Sequence, residues 1–387
     1  MVIEPKVRSF ICTTAHPDGC RENVKRQIEY TKKKGKTNGP KKVLIIGAST
    51  GYGLATRIAA TYSCEAATIG VMFEKEPTKM RTATPGFYNT VAFEEEAKKD
   101  GYYAKSINGD AFSRKIKEET IDLIKKDFGK VDMVIYSLAA PKRTTEDGTT
   151  YSSVLKTTGN DFSNKSLDLK NNTITEATIT PATEEEINST VKVMGGEDWK
   201  NWIEALSKAG ALENNAITIA YSYIGPELTY PVYYNGTIGT AKKHLHKTSI
   251  EINDEFSNEE IKAYVSINKA VVTQASSALP IVPLYIAILY KVMKENEIHE
   301  NCIEQMNRLF SEKLNGNNPI VDEENRIRLD DYEMRENIQS KVMEDWNKIN
   351  TENVEEFADL EGYWEDFYNM FGFHFDNIDY SKDVSLI

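Results

Sequence analysis

Apolar and polar positions follow one another along this chain in blocks whose period changes. From Lys41 onward a short continuous apolar run, Val43-Leu44-Ile45-Ile46, stops at Gly47, the pattern of a strand buried on both faces. Leu54, Ala55, Ile58, Ala59 and Tyr62 then recur at helical spacing. Ala67–Phe73 predicts a second strand, Tyr103–Ile107 a third and Val131–Leu138 a fourth, with amphipathic helical stretches at Val91–Lys99 and Ser113–Phe128. A fifth strand, Ala216–Tyr221, and a sixth, Ala263–Asn268, flank a helical stretch from about Tyr234 to Phe256. Strands alternating with helices predict βαβ units, hence an α/β, Rossmann-type, doubly wound parallel sheet.

Three regions depart from that alternation. Residues 1–40 are an N-terminal extension whose basic run (Lys25, Arg26, Lys32, Lys33, Lys34, Lys36) reads as the outer face of a helix. After Pro141 comes a polar insertion, 142–180, rich in Thr, Ser, Asn and Gly, with alternating runs such as Thr173–Thr180 that suggest a β-hairpin. Helical character resumes at Glu184–Val193 and Trp199–Ala209. Residues 294–387 are charged and helix-like, with Trp346 and Trp364 on apolar faces. The most apolar stretch, Ala278–Met293, carries Pro280 and Pro283 and is shorter than the ~20 residues that span a bilayer. It reads as a buried helix behind a proline-marked loop. With no repeat and no flexible linker, 1–387 is expected to be a single enlarged Rossmann domain. Its parts are the extension 1–40, a core 41–293 containing the insertion, and a helical C-terminal region 294–387.

Composition narrows the class. The 387 residues are 40% hydrophobic, 27% charged and 10% aromatic, which excludes wholesale disorder. A net charge of −12 argues against a general nucleic-acid binder and leaves room for a local basic patch facing a small anion. The four cysteines are too scattered for a disulfide framework. Cys12 and Cys20 with His16 between them lack the second ligand pair of a zinc site, so no metal is expected. The N-terminus has no basic segment followed by an apolar run, so a cytoplasmic protein without membrane partner is expected. The sequons at Asn171, Asn188 and Asn235 are then chance matches.

The chemistry begins at Gly47-Ala48-Ser49-Thr50-Gly51-Tyr52-Gly53, between a predicted strand and a predicted helix. Glycines there permit a tight turn and let the backbone approach a pyrophosphate at the helix N-terminus. Phe73-Glu74 ends the second strand, where a carboxylate binds both ribose hydroxyls and repels a 2′-phosphate, favouring NAD over NADP. The alternative is a structural glycine turn with a surface glutamate. Asp110-Ala111 follows the third strand, where the carboxylate accepts from an adenine amino group or, equally, caps a helix. Leu138-Ala139-Ala140 ends the fourth strand in small residues that leave room for the cofactor backbone.

Around the fifth strand lie Tyr221, Tyr223, Tyr230, Tyr233 and Tyr234, and then Lys242, nine positions after Tyr233. A lysine ammonium near a phenol lowers its pKa and can hydrogen-bond a nicotinamide ribose. The phenol can then donate to a carbonyl oxygen gaining negative charge. Taken alone, such tyrosines are ordinary core and such a lysine an ordinary solvated face. The glycine turn upstream favours the functional reading.

Tyr233-x8-Lys242, together with GASTGYG, FE, GDAFS, YSLAAP, VMGGEDW, AYSYIGPE, GTIGTAKKHL and VSINKAVVTQASSALP, closely resembles the trans-2-enoyl-CoA reductase family. These are NADH-dependent enoyl reductases related to the short-chain dehydrogenase/reductases. The likeness spans nearly the whole chain, from the Cys12–Cys20 start to DEENRIRLDD near the C-terminus. Ordinary short-chain dehydrogenases carry Tyr-x3-Lys and common enoyl-carrier-protein reductases Tyr-x6-Lys. The Tyr30…Lys34 match to the former precedes the glycine turn and is set aside.

The resemblance implies an NADH site lined by Gly47, Ala48, Ser49, Thr50, Gly51, Tyr52, Phe73, Glu74, Asp110, Ala111, Leu138 and Ala139. It implies that Lys242 holds the cofactor ribose and that Val271, Val272 and Thr273 meet the nicotinamide amide. Tyr233 would donate the proton or stabilise the enolate, and Tyr223 would bind the substrate carbonyl, with Tyr234 a further candidate for that contact. The implied reaction is reduction of a short trans-2-enoyl-CoA, crotonyl-CoA to butyryl-CoA, in fatty-acid or butyrate-type metabolism, by a monomer or weak homodimer. The apolar stretch after Thr273 would form a lid over the acyl chain, and Lys142, Arg143 and Lys243 are candidates for the CoA phosphates. The alternatives are an enoyl-carrier-protein reductase, a carbonyl-reducing dehydrogenase and a redox-sensing dinucleotide-binding protein without turnover.

Overall fold

The computed structural model of the chain describes residues 1–8, 11–314 and 318–386. Its central sheet has seven strands: β1 (Lys42–Ile46), β2 (Ala67–Met72), β3 (Ala104–Asn108), β4 (Val131–Tyr136), β5 (Leu212–Ser222), β6 (Lys262–Ile267) and β7 (Arg326–Arg328). All neighbours are parallel, in the order β3-β2-β1-β4-β5-β6-β7. The order reverses between β1 and β4, where an open α/β sheet leaves a crevice at its carboxyl edge.

The strand sequences dictate the layers. In β1, Val43 and Ile45 join one apolar cluster while Leu44 and Ile46 join another, the period of two that buries a strand on both faces. The first cluster is closed by α1 (Pro17–Lys34), α2 (Gly51–Ser63) and α3 (Pro85–Lys99). The opposite cluster takes Ile116 and Ile124 of α4 (Arg114–Asp127). The same cluster receives Trp199 and Trp202 of α6 (Glu197–Lys208) and Leu245 of α7 (Thr237–Glu255), on which α5 (Glu184–Met194) packs. The N-terminal extension is therefore a working part of the sandwich: α1 and α9 (Cys302–Arg308) cover α2, which is buried from Gly53 to Ser63.

The polar insertion folds into two antiparallel hairpins, Lys142–Thr144 with Thr150–Ser152 and Phe162–Asp168 with Thr173–Ile179. A third apolar cluster surrounds α8 (Val282–Glu295), against which α10 (Glu336–Lys348) and α12 (Leu360–Asn369) pack, α11 (Val354–Phe357) lying between them in sequence. Every residue of α8 from Val282 to Tyr290 is buried, so this is a core helix. The C-terminal region is helical as expected and also supplies β7, which the sequence reading passed over. Arg326-Ile327-Arg328 has a single apolar residue, and its arginines pair with Asp322 (2.9 Å) and Asp330 (2.7 Å), so no alternation marks it as a strand. No described helix is long and apolar enough to cross a membrane.

Candidate active site

The carboxyl ends of the strands open into a cleft of about 730 Å³. The turn after β1 forms its floor. Gly47 has φ +86°, and a side chain there would stand 2.3 Å from the Ser137 carbonyl oxygen. A Cβ on Gly53 would stand 1.8 Å from the Gly47 carbonyl oxygen, so only glycine lets α2 begin directly on the strand end. Thr50, the N-cap of α2, contributes no side-chain cap, which leaves the first amides of the helix for a ligand. Gly47, Ser49, Thr50, Gly51 and Tyr52 line the cleft. Ala48 does not: it is 1% exposed and its side chain packs into the core beneath the turn, while its amide donates to the Val71 carbonyl at 3.0 Å.

The ends of β2 to β4 complete this wall. Phe73 and Glu74 line it, and Ser49 Oγ donates to Glu74 Oε1 at 2.5 Å. Asn108 grips the Glu74 backbone from both sides (2.8 and 3.0 Å). Asp110 and Ala111 also line the cleft, and Asp110 Oδ1 accepts from the Phe112 amide at 3.0 Å. The N-cap of α4 is Ser113, so capping that helix is not the task of Asp110. Leu138 and Ala139, just beyond the end of β4, lie on the cleft surface.

The facing wall is built differently. Tyr223, Tyr233 and Lys242 line it with Val271, Val272 and Thr273. Tyr223 and Tyr233 meet edge to face, centroids 5.0 Å apart and planes at 75°. Gly225, at φ +75°, clears the way, since a Cβ there would stand 2.7 Å from the Tyr223 hydroxyl. Burial pushes the Tyr233 phenol up, and no lysine offsets it. The expected lowering by Lys242 is not seen: burial keeps the Tyr233 phenol in its neutral form. Lys242 Nζ donates to the Tyr221 carbonyl at 3.1 Å, and burial pulls its pKa down to about 8. That hydrogen bond leaves further ammonium protons for a ligand in the cleft. Tyr234 turns away, tilted against Tyr230 at 4.9 Å with the Lys243 ammonium over its ring at 4.3 Å.

Several expectations move. The segment 273–281 and α8 form a wall of the cleft through Thr273, Leu279, Val282 and Ile286; α8 is core rather than lid. Arg143 is 5% exposed and occupied by the Lys192 carbonyl (2.7 Å) and Glu197 (3.1 Å), so it is closed to a phosphate. Neither Lys142 nor Lys243 lines the cleft; Arg26, from the basic run of α1, does, beside Asn23 and Gln27. His16 caps α1, its Nδ1 accepting from the Gly19 amide at 3.2 Å.

The sequence reading missed Lys269 and Glu333, both at most 2% exposed. Lys269 lines the cleft, and burial pulls its ammonium down to about 8. Glu333 lies behind the tyrosines, where burial pushes its carboxyl up. No periodicity marks either: Glu333 sits in a run of acidic residues that reads as surface.

Residues 81–315 match the model of the "trans-2-enoyl-CoA reductase catalytic region", and residues 2–79 match the "NAD(P)H binding domain of trans-2-enoyl-CoA reductase". The chain belongs to the trans-2-enoyl-CoA reductase family. Among its relatives in this family, a Flavobacterium johnsoniae protein is 58% identical over all of this chain and 98% of its own length; it is named enoyl-[acyl-carrier-protein] reductase [NADH]. A Ruminiclostridium cellulolyticum protein, named trans-2-enoyl-CoA reductase [NADH], is 54% identical over all of this chain and 98% of its own. The crystal structure of Clostridium acetobutulicum trans-2-enoyl-CoA reductase in complex with NADH superposes with a TM-score of 0.97 at 47% identity, covering 100% of this chain and 98% of that one. The Treponema denticola enzyme in complex with NAD gives 0.95 at 49% identity, covering 99% and 98%.

Residues 321–384 match a third family segment described as "enoyl reductase FAD binding domain". Here Tyr363, Phe367, Phe371 and Phe373 of that segment are buried in the cluster around α8. It reaches the cleft through Asp366, Asn369, Met370 and Phe375, as one more wall of the same cavity. Those residues do not fit a flavin site of their own. The glycine turn, the uncapped start of α2 and the buried Lys242 do fit an adenine dinucleotide.

Proposed function

We propose that this chain reduces the Cα=Cβ bond of a short trans-2-enoyl-CoA with NADH, converting crotonyl-CoA to butyryl-CoA. The observation that carries this reading is the placement of two phenols, Tyr233 and Tyr223, in one cleft with the glycine turn and Lys242. The first amides of α2 receive the pyrophosphate, Glu74 the adenosine ribose, Asp110 the adenine and Lys242 the nicotinamide ribose. Bound NADH supplies the hydride that adds to the β-carbon. Negative charge then develops on the thioester oxygen, and the neutral phenol of Tyr233 donates to it. Lys242 keeps the local potential positive without having to ionise the phenol. A proton drawn from solvent adds to the α-carbon as the enolate collapses, completing the saturated acyl-CoA and leaving the cofactor oxidised.

The direct test follows NADH absorbance with crotonyl-CoA. Consumption is expected, and a flat trace with every short- and medium-chain enoyl thioester overturns the reading. A second reading, a carrier-protein thioester as substrate, is favoured by the name of the 58%-identical relative. Rates on the same acyl group carried by CoA and by acyl-carrier protein decide between them. The CoA reading expects the higher kcat/KM on CoA.

A further inference from the structure

Glu333 is completely buried and accepts three hydrogen bonds. The Ala270 amide donates to Oε2 at 2.8 Å, while the Tyr285 and Tyr223 hydroxyls meet Oε1 at 2.6 and 3.0 Å. Tyr285 itself accepts from Gln339 Nε2 at 3.1 Å, so its proton points to the carboxylate. No amide donates to Tyr223 among the described residues; behind it stand Glu333 and the Tyr285 hydroxyl, whose own proton is committed to Glu333. The Tyr223 hydroxyl stands between Glu333 behind and the cleft in front, beside the ring of Tyr233. One O–H therefore has two directions to serve. With Glu333 ionised, Tyr223 donates backward and presents lone pairs to the cleft, where a thioester oxygen would meet them unfavourably. With Glu333 neutral, the carboxyl O–H donates to Tyr223, and the Tyr223 proton turns to the cleft.

We propose that Glu333 is a positioning residue that sets the direction of the Tyr223 hydrogen bond, a neutral carboxyl being required for Tyr223 to donate to the substrate thioester oxygen. This rests on the function proposed above. The groups facing Glu333 act on its protonation in both directions. They are Tyr223 after β5, the Lys269 ammonium and the Ala270 amide after β6, Tyr285 on α8, Gln339 on α10, and Asp330 on its own segment. Burial raises the carboxyl pKa and Asp330 adds to it, while Lys269 and the donated hydrogen bonds oppose. The neutral state holds one more proton, taken up from solvent, and the Tyr223 O–H reorients; no bond between heavy atoms is made or broken.

The test uses the full chain and saturating crotonyl-CoA, with kcat measured from about pH 5 to about pH 9. Four proteins are compared: wild type, Glu333→Gln, Tyr223→Phe and the double variant. The amide of Glu333→Gln donates to Tyr223 at every pH. Any loss as Lys242 deprotonates is common to all four proteins; the wild type is expected to lose activity with rising pH along a further limb that both single variants lack. In the Tyr223→Phe background, Glu333→Gln should change kcat by less than about twofold, because the two act through one hydrogen bond. Retention of the wild-type limb by Glu333→Gln, or effects of the two changes that multiply, overturns the proposal. Should Glu333→Gln fail to fold, Tyr223→Phe alone decides, and an unaltered limb in that variant overturns it. A wild type inactive on both CoA and carrier-protein thioesters instead overturns the proposed function, so the two failures are distinct.

Discussion

The two walls of the cleft handle charge in opposite ways. The wall built from the ends of β1 to β4 works with backbone: a glycine turn, uncapped amides of α2, and side chains such as Phe73, 78% exposed, and Glu74 that remain in contact with solvent. The wall built from β5, α7 and the segment after β6 works with buried side chains. Burial pulls Lys242 and Lys269 down to about 8 and pushes Tyr233 and Glu333 up. A wall of backbone geometry suits recognition of a fixed anionic ligand, since its donors cost no charge burial. A wall of desolvated titratable groups suits a reaction in which charge appears and disappears. If this division holds, substitutions on the second wall should damage turnover, and those on the first should damage cofactor choice.

The sharpest break would come at Tyr233. Tyr233→Phe removes a hydroxyl and leaves the ring against Tyr223, so packing changes little. We expect kcat to fall by about 10²- to 10⁴-fold, with NADH affinity, read by fluorescence titration, within about twofold of wild type. A near-normal kcat would move the chemistry to Tyr223.

Lys242 tests whether the second wall also binds. Lys242→Met should weaken NADH by about ten- to a hundredfold, the worth of a lost charge-assisted hydrogen bond. It should also change stability in a defined pH window. Burial lowers the Lys242 pKa to about 8 from the ordinary lysine value of 10.5, so between those values the unfolded chain binds more protons than the folded one. Stability of the ligand-free protein therefore rises with pH from about 8 toward 10.5. Chemical denaturation across that range should show a shallower rise for Lys242→Met, with the remainder carried by Lys269. An unchanged slope would mean that the ammonium is hydrated.

The difference between the walls also explains how much the sequence reveals. A buried parallel strand is a continuous apolar run, and a phosphate-binding turn is a run of glycines, so β1 and Gly47–Gly53 are legible from local pattern. The Tyr233–Lys242 spacing is legible because both residues belong to one loop and helix. Glu333 is not, since its partners Tyr223, Ala270 and Tyr285 come from three distant stretches, and nothing in an acidic run separates the member that is buried. Likewise β7 is illegible because ion pairs rather than apolar alternation hold its side chains. Arg143 erred in the other direction: a basic residue after a strand end suggests a phosphate ligand, but Glu197, brought near by the fold, occupies it.

The smallest expected effect belongs to Glu74 and bears on the first wall alone. The family segment over residues 2–79 is described as binding NAD(P)H, which leaves the choice between the two cofactors to local residues. Glu74 is fixed by Ser49 at its carboxylate and by Asn108 at its backbone, on the cleft surface beyond the glycine turn. A carboxylate held there favours a ribose with two hydroxyls and opposes a 2′-phosphate through like charge. Because the group is only half-buried, solvent screens that repulsion, and the effect should be modest. Glu74→Ala should narrow the NADH-over-NADPH preference in kcat/KM by about tenfold, with kcat on NADH nearly unchanged. Higher salt should narrow the wild-type preference in the same direction. A preference untouched by both changes would shift discrimination to the shape of the turn, whereas a collapse of kcat would break the division between a binding wall and a reacting one.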